Sequence, residues 1–424
     1  MFQWKKLSKA DLKREILAGT TSFFAISYII MVNTMILAEA GMPKELTVFG
    51  TIFISIIGSI LMGFIADAPI VLTTGMGVNS FFTYTLVLSL GLTWQQALAV
   101  SFCAGIVYLL VAFTKLSKLF AEVVPETLKT GITVGIGFFL VLIGLEKGHL
   151  IVRGEHTFTQ LASLNDSLTL LTLFSLILTV CLFLKGIQGS FFIGIVVVTI
   201  IANIMGLVNS TEHFSLGSLK NYSQIFSKLD FSTFFSKSFL LGVFALSMIL
   251  IFESMGLLKG LMPEADEKKY LRAYRVTGFI TLLSGIFGTS PTVAAAESAT
   301  GIEEGGKTGI TSITSGVCFF LALLALPFLS YIPDSALAPA IIITGFLMIQ
   351  QIKTLHFDDF SDYFPAMLMI VLIPFTMNIS DGMAFGFVAY PLTKWIAGKK
   401  SELSLPMWLI SGLFLIYLIV NVLI

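Results

Sequence analysis

The chain has 424 residues, of which 56% are hydrophobic and only 12% charged, and its mean hydropathy is +0.94. A soluble domain carries about a quarter of its residues as charges, and a disordered chain holds far fewer apolar ones, so both classes are excluded. Basic and acidic residues balance at 25 each and no segment is strongly basic, which leaves nucleic acid no foothold and describes an all-α polytopic membrane protein.

A helix that crosses a bilayer needs about 20 mostly apolar residues, because hydrocarbon satisfies no bare backbone group. In chain order such stretches fall at 16–37, 46–66, 95–114, 127–145, 166–185 and 190–206. A second series follows at 236–259, 271–288, 307–328, 335–352, 363–378, 380–397 and 405–424. Two more, 69–89 and 290–304, are interrupted and shorter. The start carries Lys5, Lys6, Lys9, Lys13 and Arg14, and the apolar run behind it is too long for a cleaved signal peptide.

Basic residues mark cytoplasmic loops, so the N-terminus is placed inside and the sides alternate from there. Lys115, Lys118, Lys129, Lys185, the group from Lys259 to Arg275, Lys307, Lys353, Lys394, Lys399 and Lys400 then lie inside. Only Lys44, Lys147, Arg153, Lys220, Lys228 and Lys237 lie outside. The alternation stays in phase only if both interrupted stretches count as crossings. Fourteen spans up to residue 397, in a plasma membrane, are therefore expected. The stretch 405–424 lies beyond them and either spans or rests on the bilayer.

The chain echoes itself. Val124-Pro125-Glu126-Thr127 returns as Ile332-Pro333-Asp334-Ser335, and at the same offset Gly137-Phe138 falls on Gly345-Phe346. Ala68-Pro69-Ile70-Val71 before one interrupted stretch matches Ser290-Pro291-Thr292-Val293 before the other. Two copies of an odd number of spans, seven each, must face opposite ways across the membrane. Inverted repeats of this kind place one site between two halves that open alternately to each side.

The interrupted stretches carry the chemistry. Pro69 to Thr74 is β-prone and leads into Gly75-Met76-Gly77-Val78-Asn79, while Pro291 to Ala296 leads into Glu297-Ser298-Ala299-Thr300-Gly301. Each reads as a short extended piece followed by a half-helix that starts near mid-membrane, tolerated there only inside protein or beside a cavity. Of the acids, Glu253 and Glu297 lie deepest. A charge at the bilayer centre costs about 2.5–3.5 kcal/mol on insertion scales, so both are candidates for a polar ligand and for carrying a proton. Asn33 and Asn79 are buried amides that either join helices or touch the ligand. Asp67 reads as a boundary residue, and Glu303, Glu304 and Lys307 as a solvated turn. Cys103, Cys181 and Cys318 are scattered, and His149, His156, His213 and His356 fall in loops or at edges. No metal, disulfide framework or histidine relay is expected, and no cofactor beyond a coupling proton.

These residues resemble the nucleobase/ascorbate transporter superfamily, in its adenine–guanine–hypoxanthine permease branch. The resemblance runs from about Glu15 to Lys400 and is strongest at Gly288-Thr289-Ser290, Glu297-Ser298-Ala299 and Glu304 to Gly309. Glu15 to Thr21, Tyr28 to Asn33, Gly75 to Asn79 and Ala336 to Ala340 are also characteristic. It implies a core domain from residues 14–114 and 234–328 and a gate domain from 124–206 and 332–398, with 405–424 as an extra segment. It also implies that Glu253 and Glu297 hydrogen-bond a purine base, aided by Gly75, Thr74, Ala296, Asn79 and Tyr28. Proton symport, lipid surroundings and no enzymatic activity follow, with a homodimer left open.

The chain departs from the branch at several points. Leu250 stands where the first of two acids is usual, Ala295 where an aromatic is common, and Thr34 and Thr74 where prolines are. A roomier, less polar pocket is expected. An anion carrier with the same repeat is disfavoured by two acids at the focus. A channel lacks its continuous polar lining, and a membrane enzyme lacks any spaced catalytic motif.

Overall fold

The computed structural model describes residues 8–117, 123–154, 157, 159–208 and 214–423. Lys5, Lys6, Lys118, His156 and His213 lie outside the described residues.

The first half begins with two helices placed end to end, α1 (Lys9–Ile26) and α2 (Ile29–Glu39), where the sequence suggested one span. Ser8 starts α1 through a capping box with Asp11, which satisfies two otherwise orphaned amides. α3 (Lys44–Leu61) runs on through a π-turn, Met62–Ala66, and stops at Asp67, whose φ of 53° lies in the left-handed region. A strand β1 (Leu72–Thr74) follows, then α4 (Met76–Ser80), extended by π-helical Phe81–Ser89. Next come α5 (Trp94–Phe113), α6 (Glu126–Lys147), α7 (Ser167–Leu184) and α8 (Ser190–Ile204). A hairpin of β2 (Ile151–Val152) and β3 (Gln160–Leu161) links α6 to α7.

The second half holds α9 (Lys237–Leu261), α10 (Glu267–Ile286), β4 (Thr292–Ala294), α11 (Ser298–Glu303) and α12 (Gly309–Ala322). A short α13 (Leu326–Leu329) leads to α14 (Asp334–Ile349), α15 (Phe360–Thr376), α16 (Ile379–Ile396) and α17 (Leu405–Leu423). Among the described residues, eight helices are long and apolar enough to cross a membrane by length and composition. That is fewer than the apolar stretches in the sequence, for physical reasons. α8 and α15 are short, both interrupted stretches are split into strand and helix, and α10 carries five charges between Glu267 and Arg275.

At the centre, β1 and β4 pair antiparallel, Leu72 opposite Ala294 and Thr74 opposite Thr292. Gly75 N donates to Pro291 O (3.4 Å) and Ala295 N to Val71 O (3.0 Å), which extends the ladder at both ends. All six strand residues are buried, so each segment supplies the backbone partners that the other could not find in lipid. Hydroxyls complete the satisfaction: Val71 N donates to Ser298 Oγ (3.0 Å), Leu72 N to Ser59 Oγ (3.2 Å), and Thr73 Oγ1 meets Ser55 Oγ at 2.8 Å. Asn33 Nδ2 donates to Thr51 (2.7 Å) and Thr289 (3.0 Å), and its Oδ1 accepts from Ser290 (2.8 Å). Asn33 therefore joins helices.

Helices α1, α3, α5, α9, α10 and α12 pack around this ladder. α6, α7, α8, α14, α15 and α16 form a second group, in which α6 lies along both α14 and α15. At the α6–α14 crossing, a Cβ on Gly137 would fall 2.8 Å from Gly345 O and one on Gly345 2.6 Å from Gly137 O, so only glycine fits on either side. α17 lies against α16.

Candidate functional site

Glu253 sits two-thirds of the way along α9, half-buried, with its Oε2 buried and without a partner. Its Oε1 lies beside the start of α4: a Cβ placed on Gly75 would be 3.8 Å from it, and one on Gly77 3.9 Å. Those distances are ordinary contacts, and what demands glycine lies elsewhere. The Gly75 Cβ would also meet Val293 Cγ2 at 2.6 Å, and the Gly77 Cβ would meet Ile136 Cγ2 at 3.0 Å.

Glu297 precedes α11, where β4 gives way to helix. Its Oε1 accepts a 2.6 Å hydrogen bond from Tyr28 Oη, whose oxygen also lies 2.9 Å from Thr344 Oγ1 of α14. The Tyr28 hydroxyl thus joins the α1–α2 break, α11 and α14. Its ring stands 5.3 Å from Phe191 of α8, which holds the phenol in place. Among the described residues, neither Glu253 nor Glu297 has a Lys, Arg or His within ion-pair distance.

Open space meets this cluster on one side. Ala296 is exposed although Ala294, Ala295 and Ser298 around it are buried, and Gly256, one turn beyond Glu253, is exposed too. A Cβ on Gly256 or on Gly260 would meet nothing within 4 Å.

The seven residues singled out from sequence fall on adjoining elements, but not in equal positions. Ala296 is exposed, and Glu253, Glu297 and Gly75 are partly exposed. Tyr28 is 2% exposed and is tied to the pair through its bond to Glu297. Thr74 and Asn79 are wholly buried, with Thr74 Oγ1 and both amide atoms of Asn79 unpartnered. Thr344, Phe191 and Ile136 were not singled out. A signal existed for two of them: Ile136 and Thr344 stand at the same offset as the echoed glycines, one residue before each.

Two further acids are buried, one of them, Asp67, where the sequence suggested a boundary. Glu15 (3% exposed) accepts from Lys307 N (3.0 Å), Thr308 N (3.1 Å) and Thr311 Oγ1 (2.5 Å), and Asp67 (4% exposed) accepts from Gly309 N (2.9 Å). Both carboxylates satisfy the orphaned amides at the start of α12. Glu304 accepts from Gln188 and Lys307 N donates to Glu15, so the turn from Glu303 to Lys307, whose Glu303 and Lys307 are exposed, is also tied down on two sides.

The Permease family profile matches residues 13–385. The chain is 39% identical over 390 residues to the nucleobase transporter PlAzg2 of Paenibacillus larvae subsp. larvae, covering 91% of this chain and 78% of that one. It is 33% identical over 432 residues to the guanine/hypoxanthine permease PbuO of Bacillus subtilis, covering 99% and 100%. Among solved structures, it is similar to the transmembrane domain of the cyanobacterial bicarbonate transporter BicA, with a TM-score of 0.63 at 16% identity over 90% of this chain and 98% of that one. That last likeness concerns the fold alone. With apolar helices, a transporter fold and full-length relatives that are permeases, the chain is a multi-pass membrane permease, not an enzyme, and it belongs to the nucleobase/ascorbate permease family.

Proposed function

We propose that this permease imports a purine nucleobase of the hypoxanthine, guanine and adenine class by proton symport. The observation that carries the proposal is the pair Glu253 and Glu297, both only partly buried beside the half-helices α4 and α11, with no basic side chain within ion-pair distance of either among the described residues. A purine is flat and neutral, with N–H donors on its edge that carboxylates accept. Leaving such a donor unpaired in a buried site costs about 1–3 kcal/mol, enough to discriminate between bases. Uphill movement of a neutral solute requires a coupled ion, and intramembrane carboxyls are its ordinary carriers.

Fourteen spans in two inverted repeats support alternating access, with spans 1–4 and 8–11 as core and spans 5–7 and 12–14 as gate. Two symmetric contacts favour this arrangement. The echoed glycines Gly137 and Gly345 meet each other, and the echoed positions Leu72 and Ala294 pair directly in the central ladder. Equivalent residues touch in this way only near a two-fold axis. The distribution of basic residues favours an N-terminus on the cytoplasmic side of a plasma membrane, with the C-terminal end of α9 then facing the cytoplasm.

Uptake of labelled hypoxanthine, guanine and adenine into cells, with and without a proton uncoupler, tests the proposal. Saturable uptake that collapses with the uncoupler is expected. Uptake that persists removes proton coupling. No saturable uptake of any base, with bicarbonate or sulfate carried instead, replaces it with the anion reading that the shared fold allows.

A further inference from the structure

A groove of about 450 Å³ lies at the cytoplasmic end of α5 and α10, away from Glu253 and Glu297, lined by Asp266, Lys268, Leu271, Arg272 and Arg275. Lys268, Arg272 and Arg275 are spaced by four and three residues, which puts them on one face of α10. Asp266, the acid of the groove, is engaged as the helix cap, accepting from Lys269 N at 2.6 Å. Among the described residues no carboxylate stands within ion-pair distance of the three cations, and against the single Asp266 they leave the groove lining with a net positive charge.

Arg275 is oriented for a ligand. Its Nε donates to Ala112 O at the end of α5 (3.2 Å), and its guanidinium sits 4.7 Å from the Phe113 ring centroid. Its terminal nitrogens have no hydrogen bond to a described residue, and a guanidinium fork suits two phosphate oxygens. The same face continues into apolar surface: Phe279 is 44% exposed four residues beyond Arg275, and Phe113 (64%) and Leu110 (59%) are exposed on α5. Lys268 to Phe279 covers about 16 Å of helix at 1.5 Å per residue, roughly one hydrocarbon leaflet.

We propose that this groove binds an anionic phospholipid of the cytoplasmic leaflet, its phosphodiester held by Lys268, Arg272 and Arg275 and its acyl chains laid along Phe113, Leu110 and Phe279. A basic recess at the membrane surface with an apolar track below it matches the two ends of such a molecule. A soluble anion would use the cations and leave the track idle. The cytoplasmic placement rests on the orientation proposed above, whereas binding itself does not.

The test is native mass spectrometry and thermal shift on the full-length protein in detergent, titrated with phosphatidylglycerol, phosphatidylcholine or inorganic phosphate. Phosphatidylglycerol is expected to remain bound and to raise the melting temperature, with phosphatidylcholine at least tenfold weaker. R272Q alone should weaken phosphatidylglycerol binding several-fold, and Lys268→Gln with Arg272→Gln and Arg275→Gln tenfold or more. Calorimetric binding of the base by R272Q should stay at the wild-type value, which separates loss of this site from failure of the transport reading. Equal retention of both lipids, undiminished phosphatidylglycerol binding by the triple variant, or the same stabilisation by phosphate alone overturns the proposal.

Discussion

Tyr28 and Gly75 do different work for the two carboxylates. The Tyr28 hydroxyl donates to Glu297 and fixes one of its oxygens, whereas Glu253 lies beside Gly75 and Gly77 and leaves Oε2 unpaired. A hydrogen bond to a charged group contributes about 1.5–3 kcal/mol, so Tyr28→Phe should weaken base binding by roughly 10- to 100-fold. Calorimetry on the purified protein measures this, and unchanged affinity would remove Tyr28 from the site. Gly75→Ala should abolish uptake, because its Cβ would fall 2.6 Å from Val293 and wedge the central ladder apart. Gly256→Ala, with nothing within 4 Å, is the matched control and should fold and bind as wild type. If both glycine variants transported equally well, close approach at Gly75 would not matter.

Among the elements, α17 was the least legible in sequence, since an apolar stretch of 19 residues fits a span and a surface helix equally. Its contacts show what it packs against. Phe414 is wholly buried, stacked on Phe387 of α16 at 4.6 Å and edge-on to Phe244 of α9 at 4.8 Å. Phe387 stacks in turn on Phe252, the neighbour of Glu253, at 6.2 Å. Tyr417 Oη donates to Asp381 at 2.8 Å. Phe414→Ala should cost about 3–5 kcal/mol, read as a lowered melting temperature, because the cavity opens between three helices. A melting point unchanged within error would mean that the helix is not anchored there.

The linker to α17 is held by charge. Lys394, 4% exposed, reaches Asp359 (3.1 Å), Asp362 (3.3 Å) and Glu402 (2.8 Å), and Lys399 reaches Asp359 at 2.7 Å. The Lys399 ammonium and the Ser361 hydroxyl hold the Asp359 carboxyl well below the usual carboxylate range. A depressed carboxyl contributes stability above its unfolded value of about 3.9 and loses that contribution as pH falls through the folded value. Asp359→Asn should therefore melt below wild type at pH 7, with the gap closing as the pH is lowered below about 4. A gap constant with pH would mean that ionisation of Asp359 is not involved.

On the scale of the whole molecule, the ends of the two helix groups are unequal. Lys147 at the end of α6 pairs with Glu39 at the end of α2 (2.5 Å), Tyr84 Oη donates to the same carboxylate (3.1 Å), and Asn378 Nδ2 donates to Ser89 Oγ (3.0 Å). These contacts join the groups at one end, whereas a Cβ added at Gly256 or Gly260, toward the C-terminal end of α9, would meet nothing within 4 Å. Half-exposed pairs contribute up to about 1 kcal/mol, so Lys147→Ala should raise the population open at the Glu39 end up to about five-fold. In a cysteine-free background, labelling of Ala296→Cys by an impermeant thiol reagent from outside the cell measures that shift. An unchanged labelling rate would show that the pair does not hold that end closed.

Hydropathy and charge are properties of a stretch of chain, so the sequence by itself determined the membrane class, the apolar stretches and the two places where extended backbone interrupts them. It also placed Glu253 and Glu297 deep, since a carboxylate inside a long apolar run needs no partner to be noticed. Only tertiary structure decided that the interruptions pair with each other, that Asn33 joins helices, that Tyr28 grips Glu297, and that Glu15 and Asp67 are buried caps of α12. Apart from the Asn33–Thr51 bond, each of these contacts joins residues more than 200 positions apart. A hydrogen bond over that separation depends on how helices cross and on which side chains then face one another, and no local pattern encodes either.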